Sequence, residues 1–391
     1  MKSIPFMPVA LMGIFLGVFV SCREQNKVGT TATTPPVVVA DPTITTNILV
    51  TGYEIIWGMD FLPNGDMLFT EKKGALHRFA NGKTTPITGL PTDINTNGQG
   101  GLFDIRVHPN YASNGWVYAT YAGTAPATKF TRLNLIRFKI NGNQIANLEP
   151  IFQTSATNQW NGHYGGRIEF DKAGSLYLSV GEGGPGSYGG ATSPNQNPQN
   201  VKTEWGKVHR MTDAGGVLAD NPILPGNTAP TTIYSYGHRN PQGLVLNPTT
   251  NQIWESEHGP RGGDEVNIVE KGKNYGWPLV SHGVNYDGKP VSNSPTMAGV
   301  QAPVHTWTPS IGACGLAFIT SDKFKSWKGN LLAGGLALTH LSRCEVADGK
   351  VINSSRILNG QGRVRNVKQG PDGNLYVSVE GPGRILQLIP N

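Results

Sequence analysis

A strand–turn–strand unit recurs six times along the chain, and this repetition limits the possible folds more than any other feature. An alternating apolar stretch runs into a Pro/Asp/Asn/Gly turn and out into a second stretch rich in Leu, Tyr, Val and Ser/Thr. The first copy spans Gly58 to Thr70 around Pro63-Asn64-Gly65, and the second Ile105 to Thr120 around Pro109 and Gly115. The third runs from Ile168 to Val180 around Gly174, and the fourth from Leu244 to Ser256 around Pro248. The fifth runs from Leu316 to Gly334 around Gly329, and the last from Val367 to Val379 around Pro371-Asp372-Gly373. Period-two alternation broken by such turns is a β-hairpin signal. Six hairpins with further strands between them predict an all-β chain, a six-bladed β-propeller of four-stranded antiparallel blades. A pair of β-sandwiches is the competing architecture. The extra length near 183–233 and 257–312 is expected to form long loops on one face, where a rigid scaffold carries its chemistry.

Composition agrees with this. Charged residues make up only 15% of the 391 residues, and 51 Gly and 28 Pro are spread along the chain, as short strands and turns require. No long amphipathic helical pattern occurs. The apolar share of 38% still allows a large core, because only alternate strand residues need face inward. The formal charge of +6 is not gathered into a basic run, which argues against a nucleic-acid partner. It fits either a basic surface or a pocket that holds an anion.

The first 22 residues read as an address. Lys2 precedes a continuous apolar run from Pro8 to Val20, of signal-peptide length and short for a membrane span. It ends at Phe19-Val20-Ser21-Cys22, which resembles a bacterial lipoprotein signal whose Cys is lipidated. The alternative is an ordinary cleaved secretory signal. Residues 23–46 read as a flexible Thr/Pro/Val tether, and 47–391 as the propeller domain. The expected location is the periplasmic side of a bacterial envelope, with a lipid anchor in the membrane. Cys314 and Cys344 remain, and they either pair or stay as buried thiols.

Three polar, Gly-rich stretches stand out from ordinary turns. In Gly162-His163-Tyr164-Gly165-Gly166-Arg167 the imidazole lies on open backbone. Such a His is more often a surface or hydrogen-bonded residue; its functional reading is a general base. In Gly237-His238-Arg239-Asn240-Pro241-Gln242-Gly243 a guanidinium fork stands beside an amide, suited to carboxylate or quinone oxygens, or to capping loops between blades. In Glu257-His258-Gly259-Pro260-Arg261-Gly262-Gly263-Asp264-Glu265 loop carbonyls lie beside acids, a hard-oxygen set that favours calcium over zinc. The run Gly181-Glu182-Gly183-Gly184-Pro185 lacks the ending of a phosphate loop and reads as a plain loop.

Taken together with Gly98-Gln99-Gly100-Gly101-Leu102, Asn274-Tyr275-Gly276-Trp277-Pro278, Trp307-Thr308-Pro309-Ser310 and Arg363-Val364-Arg365-Asn366-Val367, these motifs make the chain resemble the soluble PQQ-dependent aldose sugar dehydrogenases of the glucose/sorbosone dehydrogenase family, over about Ile48 to Leu388. The resemblance implies a six-bladed propeller that oxidises an aldose at C1 to the lactone, with PQQ and Ca2+ as cofactors. It implies that His163 is the catalytic base and that Gln99, Arg239, Asn240, Arg363 and Arg365 hold PQQ. The carbonyls of Gly259 and Pro260 fall where the family ligates calcium, and Glu265 and Tyr275 at a second calcium site. Tyr286 and Trp307 fall near the cofactor plane. Three arginines suit a tricarboxylate cofactor, and buried without an anion they would repel one another. Glu182 stands where an Asp is usual, Ala337 where glucose-type members carry Lys, and His258 where they carry Gln. The alternatives are a non-catalytic propeller that binds a glycan or protein, supported by Ala337 and Glu182, and a calcium-dependent propeller lactonase, which leaves the arginines unexplained.

Overall fold

The computed structural model describes residues 40–184 and 188–391. The signal peptide, Cys22 and most of the tether lie outside the described residues. Strand β1 (Ile44–Tyr53) comes first, and its residues Ile44 to Thr46 pair with β24 (Gly383–Pro390). The sheet therefore begins three residues earlier than the tether boundary expected from sequence.

Between these ends lie five blades formed in chain order. They are β2–β5 (Ile56–Phe61, Met67–Glu71, Ala75–Ala80, Lys83–Ile87), β6–β9 (Leu102–Val107, Val117–Thr124, Thr131–Asn141, Gln144–Gln153) and β10–β13 (Gly165–Phe170, Leu176–Val180, Lys207–Met211, Ile233–Tyr236). Next come β14–β17 (Pro241–Leu246, Ile253–Glu257, Asp264–Val269, His305–Trp307) and β18–β21 (Ala313–Phe318, Leu331–Gly335, His340–Ala347, Lys350–Ile357). The sixth blade is β22 (Arg363–Gln369), β23 (Leu375–Glu380) and β24, completed by β1, so both chain ends share one sheet. Every pairing within the blades is antiparallel.

All six sequence repeats are the first hairpin of a blade. The two long stretches, expected as loops, contain outer strands β12, β16 and β17, which are only 5, 6 and 3 residues long. They also do not share one face. Residues after β11 stay at the His163 end, whereas those after β12 lie at the other, because Met211 pairs with Leu176 and Arg210 reaches Ser175 in the first-hairpin turn.

Apolar side chains pack between neighbouring blades. One cluster joins Trp57, Phe103, Tyr118, Tyr164, Leu178 and Trp205 across the first three.

The innermost strands share a device that shapes the axis. Each carries one extra residue at the same level, a β-bulge, at Trp57-Gly58, Phe103-Asp104, Gly166-Arg167, Gln242, Cys314-Gly315 and Arg365. A bulge leaves a residue out of the ladder and re-aims its side chain. The carbonyls so released are met by hydroxyls of the second strands. Thr70 donates to Phe103 O, Thr120 to Gly166 O, Ser179 to Pro241 O and Ser256 to Cys314 O, each in the next blade. The Ser/Thr content of the repeat is thus a set of clasps between blades.

Candidate active site

The bulged residues form the floor of an axial cavity of about 390 Å³. Its lining includes Trp57, Phe103, Gln242 and Arg365 from the bulges, together with Gln99, Lys72, His258, Arg363 and Glu380. Three cations, Lys72, Arg363 and Arg365, face this space with one lining carboxylate. That carboxylate, Glu380, accepts from Arg363 Nε at 3.0 Å and from Arg365 Nε at 2.6 Å. The two arginines therefore have a protein partner, unlike the partnerless set expected from sequence, yet the cavity keeps an excess of positive charge. Lys72, which donates to Thr96 O, supplies a cation in a blade where the sequence gives no sign of one.

His163 is held beside this cavity in a left-handed backbone conformation, φ 47°, that costs a non-glycine residue free energy. Neighbours fix it there: its N–H donates to Gln99 Oε1 at 3.1 Å, and its carbonyl accepts from Gly183 N at 3.1 Å. The ring Nδ1 lies 2.9 Å from Glu182 Oε1, and Glu182 Oε2 accepts from Trp277 Nε1 at 2.5 Å. Glu182 thus spans the distance its extra methylene allows, and the run read as a plain loop carries the orienting carboxylate. A carboxylate at Nδ1 places the ring proton there and leaves Nε2 as the acceptor. Burial lowers the His163 pKa, nearby Arg239 lowers it further, and Glu182 raises it in part; the net shift is downward.

Arg239 stacks over the Trp277 ring at 5.0 Å, and its Nη1 donates to His258 O at 3.0 Å and Gly259 O at 2.7 Å. Of the two loop carbonyls named in the sequence, that of Gly259 therefore already receives positive charge. Asn240 is buried and accepts from Gly165 N, so it fixes the backbone after His163 rather than lining the cavity. Tyr286 is 58% exposed on the loop beyond Val284. Trp307 lies on the outermost strand of its blade, in a core cluster with Trp254, Ile311 and Leu331, and is not among the residues that line the axial cavity.

Half-buried Glu265 lies beside a buried set the sequence reading missed. His238, Glu255 and Glu257 bring ligand atoms within 4.8 Å of one another, and Asn267 donates to both Glu255 and Glu265. Burial and the neighbouring Glu257 raise the Glu255 and Glu265 pKa values. Burial opposes charge on His238, but Glu255 and Glu257 outweigh it and raise its pKa to about 9. Tyr275 stacks on the His238 ring at 4.5 Å, and its hydroxyl is engaged with Ile268 O and Glu270 N. Cys314 and Cys344 are both buried free thiols.

A propeller with a cationic axial cavity and a carboxylate-oriented imidazole beside it is suited to an anionic redox cofactor. The family profile described as "Glucose / Sorbosone dehydrogenase" matches residues 53–387, and the chain belongs to that family. It is a sugar oxidoreductase. It is 37% identical over 361 residues to the aldose sugar dehydrogenase YliI of Escherichia coli K12, covering 90% of this chain and 94% of that one. The apo-form crystal structure of the soluble aldose sugar dehydrogenase from E. coli superposes with a TM-score of 0.81 at 32% identity, covering 89% of this chain and all of that one. The PQQ-bound aldose sugar dehydrogenase of Streptomyces coelicolor superposes at 0.70 with 27% identity, over 90% of this chain and all of that one.

Proposed function

We propose that this protein oxidises an aldose at C1 to the lactone, with PQQ in the axial cavity as hydride acceptor, calcium beside it and His163 as general base. The observation that carries the reading is an imidazole tied at 2.9 Å to buried Glu182 next to a cavity with unbalanced positive charge. The cavity fits the cofactor, since a tricarboxylate supplies further anions where Lys72, Arg363 and Arg365 share a single lining carboxylate, Glu380. Hard main-chain oxygens at Gly259 and Pro260 suit calcium, and the guanidinium on Gly259 O marks that oxygen as a site for positive charge. When bound, the pair supplies a quinone made electrophilic by the cation.

The chain's own residues do the rest. Burial keeps His163 neutral, so Nε2 can take the C1 hydroxyl proton as hydride leaves C1 and the C–O bond becomes a carbonyl. Glu182 stabilises the imidazolium that results, and Trp277 keeps Glu182 from turning away. The buried carboxylates around Glu265 are the place for a second calcium ion. We also propose export and lipid anchoring through Cys22, checked by whether Cys22→Ser moves the protein out of the membrane fraction.

The first test is reconstitution. Cofactor-free protein is expected to reduce an electron-accepting dye with aldoses only after PQQ and calcium are added. His163→Gln is expected to take up PQQ yet lose turnover by about 10²–10⁴-fold, the usual share of a positioned base. Full turnover in that variant removes His163 from the reaction.

A further inference from the structure

Among the described residues the clasp pattern leaves three bulge carbonyls unserved by hydroxyls: that of Trp57, where the counterpart hydroxyl of Ser378 finds no partner, and those of Gln242 and Arg365. In the fourth blade Ser179 donates to Pro241 O rather than to Gln242 O. In the sixth, the second strand of the preceding blade presents Gly334 where its counterparts have Ser or Thr, so no hydroxyl reaches Arg365 O. One side chain reaches the latter two. Arg167 Nε donates to Gln242 O at 2.6 Å and its Nη2 to Arg365 O at 3.1 Å. Its Nη1 pairs with Asp104 Oδ1 at 3.0 Å, and its guanidinium lies over the Trp57 ring at 4.1 Å. Counting its own strand, Arg167 touches five of the six innermost strands while only 3% exposed.

The two carbonyls it holds belong to Gln242 and Arg365, which line the cavity above. Their side chains also meet each other, Arg365 Nη1 donating to Gln242 Oε1 at 2.7 Å. Arg167 itself lines the opposite axial mouth, a funnel of about 440 Å³. It is the septum between the two spaces.

We propose that Arg167 is a positioning residue for the cofactor cavity, acting through the main-chain carbonyls of Gln242 and Arg365. The inference rests on the function proposed above. A planar fork can serve two carbonyls and a carboxylate in three directions at once; an ammonium at the same place lacks that geometry. Two freed carbonyls without donors would relax, and the aim of Arg365 and Gln242 would relax with them.

Arg167→Ala and Arg167→Lys are compared with wild type by absorbance titration with PQQ in the presence of calcium, and by hydrogen–deuterium exchange without cofactor. Both variants are expected to raise the PQQ dissociation constant by about tenfold or more, the lower range for removing a supporting hydrogen-bond partner. Guanidinium added to the solution enters through the lower funnel and is expected to restore affinity in Arg167→Ala but not in Arg167→Lys, which a general loss of stability would not do. Exchange is expected to rise around Gln242 and Arg365 and not in the outer strands. Affinity within about twofold of wild type in either folded variant overturns the proposal, as does unchanged exchange at both positions. If Arg167→Ala does not fold, Arg167→Lys decides alone. If wild type itself takes up no PQQ, the functional reading fails, and the exchange measurement still decides on Arg167.

Discussion

At the scale of single residues, the His163–Glu182 pair makes a pH prediction with a definite sign. Burial and Arg239 lower the His163 pKa, and Glu182 opposes them. Glu182→Gln removes the raising influence, so the imidazole protonates at lower pH than in wild type. The acid limb of kcat/KM is therefore expected to move to lower pH, while the rate on the plateau falls because the amide no longer stabilises the imidazolium. A limb that moves to higher pH, or an unchanged rate, means that Glu182 does not act on His163. The lysine at 207 offers a second case. Its ammonium is fully buried and donates to Asn197 O, Pro198 O and Trp205 O, which ties the loop from Asn197 to Trp205 onto the blade. Lys207→Met leaves Trp205 O without its donor and takes one donor each from Asn197 O and Pro198 O, which keep Asn200 N and Gly237 N. It is expected to cost about 2–5 kcal/mol of stability, measured by denaturant unfolding. A loss below about 0.5 kcal/mol, the level of an ordinary surface change, shows that the loop closes without the clamp.

At the scale of strands and hairpins, the clasps should behave alike because they share one geometry. Thr120 is the fullest example: its hydroxyl accepts from Asp104 N at 3.1 Å and donates to Gly166 O at 2.6 Å. Thr120→Val keeps the shape and removes both bonds, so a buried N–H and a buried carbonyl lose their partner. A loss of about 2–4 kcal/mol in unfolding free energy is expected, and an isosteric change that costs nothing would deny the clasps a stabilising role. The first hairpin of every blade was legible in the sequence because its alternation, its turn residues and its clasp hydroxyls occur together in one short window. The outer strands of the third and fourth blades were not. β13 and β17 have 4 and 3 residues, too few for a period to show, and are set apart by long connections. The site divides the same way. His163, Arg239 and the Gly259-Pro260 loop sit in Gly-rich motifs that announce themselves. Lys72 and Glu380 are single polar residues at the ends of ordinary strands, and only ring closure brings them to one cavity with Gln242, the glutamine that follows the Arg239-Asn240 pair. A motif gives a position along the chain but not the face on which a ring will pack, so the place of Trp307 in the cluster with Trp254 and Leu331 was not legible either.

At the scale of the whole molecule, the ring is closed by its ends, and the closing blade also carries Arg363 and Arg365, two of the three cavity cations. β1 forms eight residue pairs with β24, from Ile44 with Pro390 to Tyr53 with Gly383, and Asn391 N donates to Thr43 O. β1 buries little of its own: among its residues only Val50 is fully buried. Its contribution is therefore mainly main-chain pairing, which shields β24 from being an open edge. Arg363, Arg365 and Glu380 lie on β22 and β23 of that blade. A chain beginning at Ala40 is expected to match the full chain in melting temperature and PQQ affinity, because the whole sheet is kept. A chain beginning at Ile56 leaves β24 unpaired and the sixth blade three-stranded. It is expected to aggregate through the exposed edge on size-exclusion chromatography and, in whatever fraction stays monomeric, to bind PQQ more weakly than the chain from Ala40. If the shorter chain stays monodisperse, melts at the same temperature and takes up PQQ equally well, the first strand does not hold the ring, and the order of the cavity floor comes from the inner strands and their clasps alone.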